Sequence, residues 1–409
     1  MRQSPSSVSR SLARAGLALA LTVGVSATAT AQTGQSAPQD DPPISDRPSE
    51  PEGFVHEPVT LERVVLFADR YLGSGGGSNG FYVNSRSPIT GAGFVTIGPG
   101  YRRWYKDDRA VIDGFGGVSW RGYKVAQAKV ELPKLLRSRL TFGTLYRYQD
   151  FRLVKFFGEG PDTAAADESQ YHLRSHNVVV YTLIRPARWF SVGTQLGWLR
   201  PSIHTAPGDE PPYVHTEVSI TADGRDFPNH PTRGGFVRLS AGTFRDGSSS
   251  ASSFNRYESE VAGFVPVAGS RVVLALHGWL AASDAEAGQR VPFYLLPSLG
   301  GGRSLRSYAD FRFHDRQMVV ANAELRVALM THMDAVVFAD AGSVAARVGS
   351  LDLDKRSYGA GLRLHTRRDT FARVDAAHGR EGWRATMSLS EPFHLARTSR
   401  KTAPTPFVP

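Results

Sequence analysis

The sequence contains no cysteine, which excludes disulfides, thiolate metal sites and thiol redox chemistry. Beyond its N-terminus it has no stretch approaching eighteen consecutive apolar residues, so no membrane-spanning helix is predicted. It also lacks a G-x-S-x-G elbow, a Walker loop and an H-E-x-x-H pair, so neither an enzyme nor a cofactor is predicted. A formal G-x-G-x-x-G at Gly75, Gly77 and Gly80 is followed by FYVNSR, a strand pattern rather than a helix, and reads as a flexible hinge. His172 and His176 sit at a strand start, where four residues span about 13 Å, too far apart to ligate one metal. No metal ligands are assigned.

What is present begins with Arg2, Arg10 and Arg14, an apolar run from about Ala15 to Val25, and Ala29-Thr30-Ala31. That layout predicts a signal peptide over residues 1–31 and export from the cytoplasm. Of the net charge of +10, its removal takes three Arg and no acid, leaving +7, too modest to point to nucleic acid. Residues 32–59 carry six Pro and six acids with little apolar content, the composition of a disordered or extended linker. Residues 60–78 combine TLERVVLFADRYL, readable as short helix or strand, with the glycine-rich hinge.

From 79 to 393 the pattern has period two. In Asn322–Leu329, residues Ala323, Leu325, Val327 and Leu329 share one face, and Asn322, Glu324 and Arg326 the other. A soluble sandwich would alternate as well. The connections separate the two readings. Sixteen strand patterns, from about 79–86 to 382–391, are joined alternately by short or Pro-rich turns, such as KDD at 106–108 and THM at 331–333, and by segments that include long polar loops, such as GEGPDTAAADES. An even strand number with turns on one side and loops on the other predicts an all-β fold, a sixteen-strand antiparallel transmembrane β-barrel.

The longest connection, between strands 11 and 12, contains VPFYLLPSLGGGRSLRSYADFRF. So apolar a segment is poorly suited to an outer loop in water, which predicts that it is inserted in the lumen. Here the sequence resembles the BamA and TamA relatives, the bacterial surface antigen barrels. Their inserted loop ends in an apolar residue followed by Arg-Gly-Phe or Arg-Gly-Tyr, matched by Leu305, Arg306, Ser307 and Tyr308 after Leu299, Gly300 and Gly301. The resemblance implies that Arg306 is held by Asp340, within Phe338-Ala-Asp340-Ala-Gly342, and by Glu324. Strand parity independently puts both acids on inward faces. Ser307 stands where the family has glycine; if the position requires positive φ, serine costs about 1–2 kcal/mol there.

The closing strand up to Ser390-Glu-Pro-Phe393 resembles the family's terminal assembly signal, and residues 394–409 read as a basic, Pro-containing tail. Residues 32–78 are too few for one complete POTRA module. The resemblance therefore implies a POTRA-less member in the bacterial outer membrane, surrounded by lipid and lipopolysaccharide. Its implied role is insertion of outer-membrane proteins or protein translocation, with a client outer-membrane or secreted protein as partner. The alternatives are a channel or structural barrel without assembly activity, and the membrane component of an export system with a separate periplasmic partner.

Overall fold

The computed structural model describes residues 53–63, 65, 79–84, 96–204, 210–248, 251–366, 369–389, 393 and 395. The expected signal peptide, most of the linker, nearly all of the glycine-rich hinge and the tail from 396 onward lie outside the described residues.

Sixteen strands form one antiparallel sheet in which each pairs with its neighbours in sequence. The first eight are β1 (Gly80–Asn84), β2 (Thr96–Tyr105), β3 (Ala110–Ser119), β4 (Lys124–Leu135), β5 (Leu140–Phe156), β6 (Ser169–Ala187), β7 (Phe190–Ile203) and β8 (Tyr213–Asp223). There follow β9 (Gly234–Asp246), β10 (Phe254–Ala268), β11 (Val272–Ala285), β12 (Gln317–Met330), β13 (Met333–Ala345), β14 (Lys355–Thr366), β15 (Asp369–Gly379) and β16 (Gly382–Ser388). A two-residue ladder, Ser298–Leu299 with Phe313–His314, closes the base of the β11–β12 loop.

The faces of the sheet exclude a soluble sandwich. In β4 the buried side chains include Gln127, Lys129 and Glu131, while Val130 and Leu132 on the opposite face are exposed. In a water-soluble sheet the apolar face would be the buried one; polar inside and apolar outside is the arrangement for lipid. The same inversion holds where Leu276, Val337, Tyr358, Leu362 and Val374 are exposed and His277, Glu324, Arg363 and Asp375 are buried. Exposed aromatics lie near both ends of the strands, with Trp120 and Trp383 on the loop side and Tyr105 and Trp189 on the turn side, as interfacial girdles do.

Contacts between distant strands curl the sheet upon itself. Arg312, in the β11–β12 loop, donates to the Thr163 hydroxyl between β5 and β6 at 2.9 Å and to Glu381 between β15 and β16 at 2.6 Å. Asn229, between β8 and β9, accepts from the Thr370 amide of β15 at 3.1 Å. The result is a barrel whose lumen contains the long loop. Among the described residues, no ladder joins β1 to β16.

The turns on one side are tight. Lys106, Asp107 and Asp108, and again Leu136, Arg137 and Ser138, adopt three successive left-handed conformations, which reverse the chain in few residues. Ahead of the barrel, residues 53–57, within the stretch expected to be linker, lie along this rim. The amides of Phe54 and Val55 donate to the Ala328 and Leu329 carbonyls at 3.2 and 2.8 Å, and Glu57 accepts from the His332 amide. Gly53 passes so close to Met330 that a Cβ would lie 2.4 Å from its Cα, so only glycine fits. Residues 59–63, in part the segment left open between helix and strand, are helical.

Candidate functional site

The inserted loop owes its shape to glycine and serine. Gly300 and Gly301 have φ of +123° and +81°, and a Cβ on either would collide with the Ala309 carbonyl or the Asp310 carboxylate. The Ser304 hydroxyl bridges the Gly300 amide and carbonyl, at 2.9 and 3.0 Å, and the Gly301 amide donates to the Tyr308 carbonyl. These bonds fold residues 300–308 into a compact tip. Leu299, Leu305 and Tyr308 pack it against Met318, Val320 and Val344 of β12 and β13. Gly342 leaves the room Leu299 needs, since a Cβ there would lie 2.9 Å from the Leu299 side chain.

At the tip, Arg306 is 2% exposed and fully engaged. Its Nη2 and Nε donate to the two oxygens of Asp340 at 2.6 and 3.0 Å, a bidentate fork, and its Nη1 donates to Glu324 at 2.5 Å. Its backbone amide adds a bond to Asp340, and its guanidinium lies 3.5 Å from the centre of the Phe338 ring. Burial disfavours the Arg306 charge, but Asp340 and Glu324 outweigh it and hold its pKa above the ordinary arginine value. The structure thus brings together Arg306, Asp340, Glu324, Phe338 and Gly342.

Around this centre lies a network that sequence reasoning did not assign. Arg363 donates to Glu324 at 3.0 Å and to Asp375 at 2.6 Å, and Arg373 reaches Asp375 and the Gly302 carbonyl. Asn322 donates to Asp340 and to the Ser304 carbonyl, both at 2.8 Å. Arg312 forms a second clamp, its guanidinium held near the Phe157 and Phe313 rings. The signal that could have found Arg363, Arg373 and Asp375 is parity, since each lies on the inward face of its strand. Their partners come from strands whose register the sequence does not reveal.

The condition attached to Ser307 is not met, and the closing strand ends early. Ser307 does not adopt positive φ; the left-handed residues of this loop are Gly300, Gly301 and Phe311. The position is small for a different reason: the Ser307 side chain abuts the Gly379 backbone, and its amide donates to the Ser357 hydroxyl at 3.0 Å. Phe393 is not the end of the closing strand, because β16 stops at Ser388. It lies in the lumen, packed with Phe264 and Ala275 and stacked on His277 at 4.9 Å. Proline at 392 has no amide with which to extend a ladder. His172 and His176 stay apart, the first beside Asp150 and the second beside the Tyr146 hydroxyl.

A sixteen-stranded barrel with polar lumen, apolar exterior and an arginine-anchored internal loop is a membrane β-barrel. Residues 212–367, which span β8 to β14, match the Omp85 superfamily domain. Barrels of the superfamily reside in the bacterial outer membrane. Among solved structures, BamA from Haemophilus ducreyi lacking POTRA domains 1-3 superposes with a TM-score of 0.58 at 14% identity, covering 76% of this chain and 69% of that one. CdiB from Acinetobacter baumannii (12% identity, TM-score 0.47) and CdiB from Escherichia coli (14%, 0.48) each cover 76% of this chain, and 58% and 61% of their own. No curated protein matches significantly.

Proposed function

We propose that the chain assists insertion or translocation of proteins at the bacterial outer membrane, accepting a client strand at the β1–β16 edge. The observation that carries this reading is the lack of a ladder between β1 and β16 among the described residues. Edges with no ladder between them offer backbone donors and acceptors to an incoming strand by β-augmentation. Arg306 and its partners would keep β12 to β15 a fixed wall beside that edge while the edge itself opens. A steady open channel is the less suited alternative, because the loop, Phe393 and the β8–β9 turn occupy the lumen.

The test uses proteoliposomes containing the full chain and a urea-denatured client barrel. Folding of the client is expected to be faster than in empty liposomes. A disulfide between one cysteine placed in β1 and one in β16 should abolish the gain until it is reduced. Since the chain has no cysteine of its own, the bridge would be unambiguous. Equal client folding with and without the protein, together with steady conductance in planar bilayers, would establish the channel instead.

A further inference from the structure

The outward face of β4 to β7 changes character toward the loop side, and strand register shows where. In one row of paired residues stand Tyr146, Val178 and Trp198, all exposed. Two residues nearer the loops, the row is Tyr148, His176 and Arg200. Two further on it is Lys124, Asp150, Arg174 and Ser202, with Arg152 in the bulge just beyond. Four cations thus face outward against one carboxylate where the aromatic row ends.

The carboxylate does not consume these cations. Asp150 Oδ1 lies 2.5 Å from His172 Nε2, whereas the Nε atoms of Arg152 and Arg174 stop 3.9 and 4.0 Å away, beyond hydrogen-bonding distance. Arg174 Nε is shielded from solvent and has no hydrogen-bond partner. The Lys124 and Arg200 side chains have neither an ion-pair nor a hydrogen-bond partner among the described residues. Glu168, the acid just before β6, is taken by Lys155 at 2.7 Å. Asp150 therefore gathers two guanidiniums and leaves their donors open to an anion.

We propose that Lys124, Arg152, Arg174 and Arg200 bind the phosphate groups of an outer-leaflet glycolipid of the lipopolysaccharide class. Outward cations are costly at the bilayer centre and tolerated near its interfaces, and exposed aromatics mark that boundary. Long loops face the cell exterior in such barrels, so this row lies at the outer headgroup layer. Guanidinium forks match phosphate oxygens. With strands 4.7–4.9 Å apart, the three steps from Lys124 to Arg200 span about 15 Å, room for a headgroup with more than one phosphate. Tyr146, Val178 and Trp198 below would meet its acyl chains. The inference rests on the barrel's placement in the outer membrane and not on its handling of clients.

The experiment titrates the delipidated full chain in detergent with bis-phosphorylated lipid A and counts bound lipid by native mass spectrometry. One lipid A per chain is expected, held more weakly when one phosphate is removed and lost when both are. Arg174→Gln with Arg200→Gln should weaken it about 20–30-fold, roughly fivefold for each charge, with heat-modifiable gel mobility reporting that the barrel remains folded. Arg109→Gln with Arg188→Gln, both exposed on the turn side, should leave binding unchanged. Equal binding of the dephosphorylated lipid, or full binding by the Arg174 and Arg200 double variant, would overturn the site. Displacement of lipid A by excess inorganic phosphate would also overturn it, assigning the patch to a free anion.

Discussion

At the residue scale, Arg306 is where charge, burial and geometry meet. Removing one partner of a desolvated ion pair leaves the other charge buried and unpaired, at a cost of about 3–5 kcal/mol. Arg306→Ala is therefore expected to lower the unfolding free energy of the barrel by that amount, measured from urea unfolding followed by tryptophan fluorescence. Arg306→Lys should fall between, because an ammonium cannot fork to Asp340 while also reaching Glu324. Ser307 makes the opposite point. With no left-handed backbone at that position, Ser307→Gly should gain nothing from relief of strain and shift the same free energy by less than about 1 kcal/mol. Ser307→Leu, driven into Gly379, should cost about 1–3 kcal/mol by overpacking. The sequence motif named residues that meet here, but backbone conformation was not legible in it. The departure from glycine is accommodated by the neighbouring Gly379 rather than by strain.

At the element scale, the strands were readable because period two survives in lipid as in water, and the tight turns punctuate it. The two ends of the sheet were less so. β16 ends at Ser388, and Phe393 packs on the apolar lining of β9 to β11, a tertiary contact with no local signature. The N-terminal stretch around residues 53–57 likewise looked unable to pack, yet it needs no core of its own when β12 and His332 supply the partners. The inserted loop has two anchors of different kinds, the ion pairs of Arg306 and the clamp of Arg312 between Thr163 and Glu381. Arg312→Ala should release the loop from the β5–β6 connection while leaving its tip in place. Limited proteolysis should then cleave between residues 157 and 168 more rapidly, with the urea midpoint falling less than for Arg306→Ala.

For the whole molecule, lumen occupancy follows from how much polypeptide folds inward. Deleting residues 287–312 should convert a low-conductance barrel into one with large, steady steps in planar bilayers. Unchanged conductance would mean that the remaining lumen segments alone close the path. The sequence distance across the internal contacts carries a further consequence, for time rather than for strength. Arg306 bonds to partners 18 and 34 residues away, whereas Arg312 reaches 149 residues back and His230 140 residues forward. Contacts of the latter kind close the largest loops and belong to the final stages of folding. Interactions absent from the transition state govern the rate of escape from the native state rather than the rate of reaching it. Loosening Arg312 or His230 should thus leave the speed of assembly nearly unchanged and shorten the lifetime of the finished barrel.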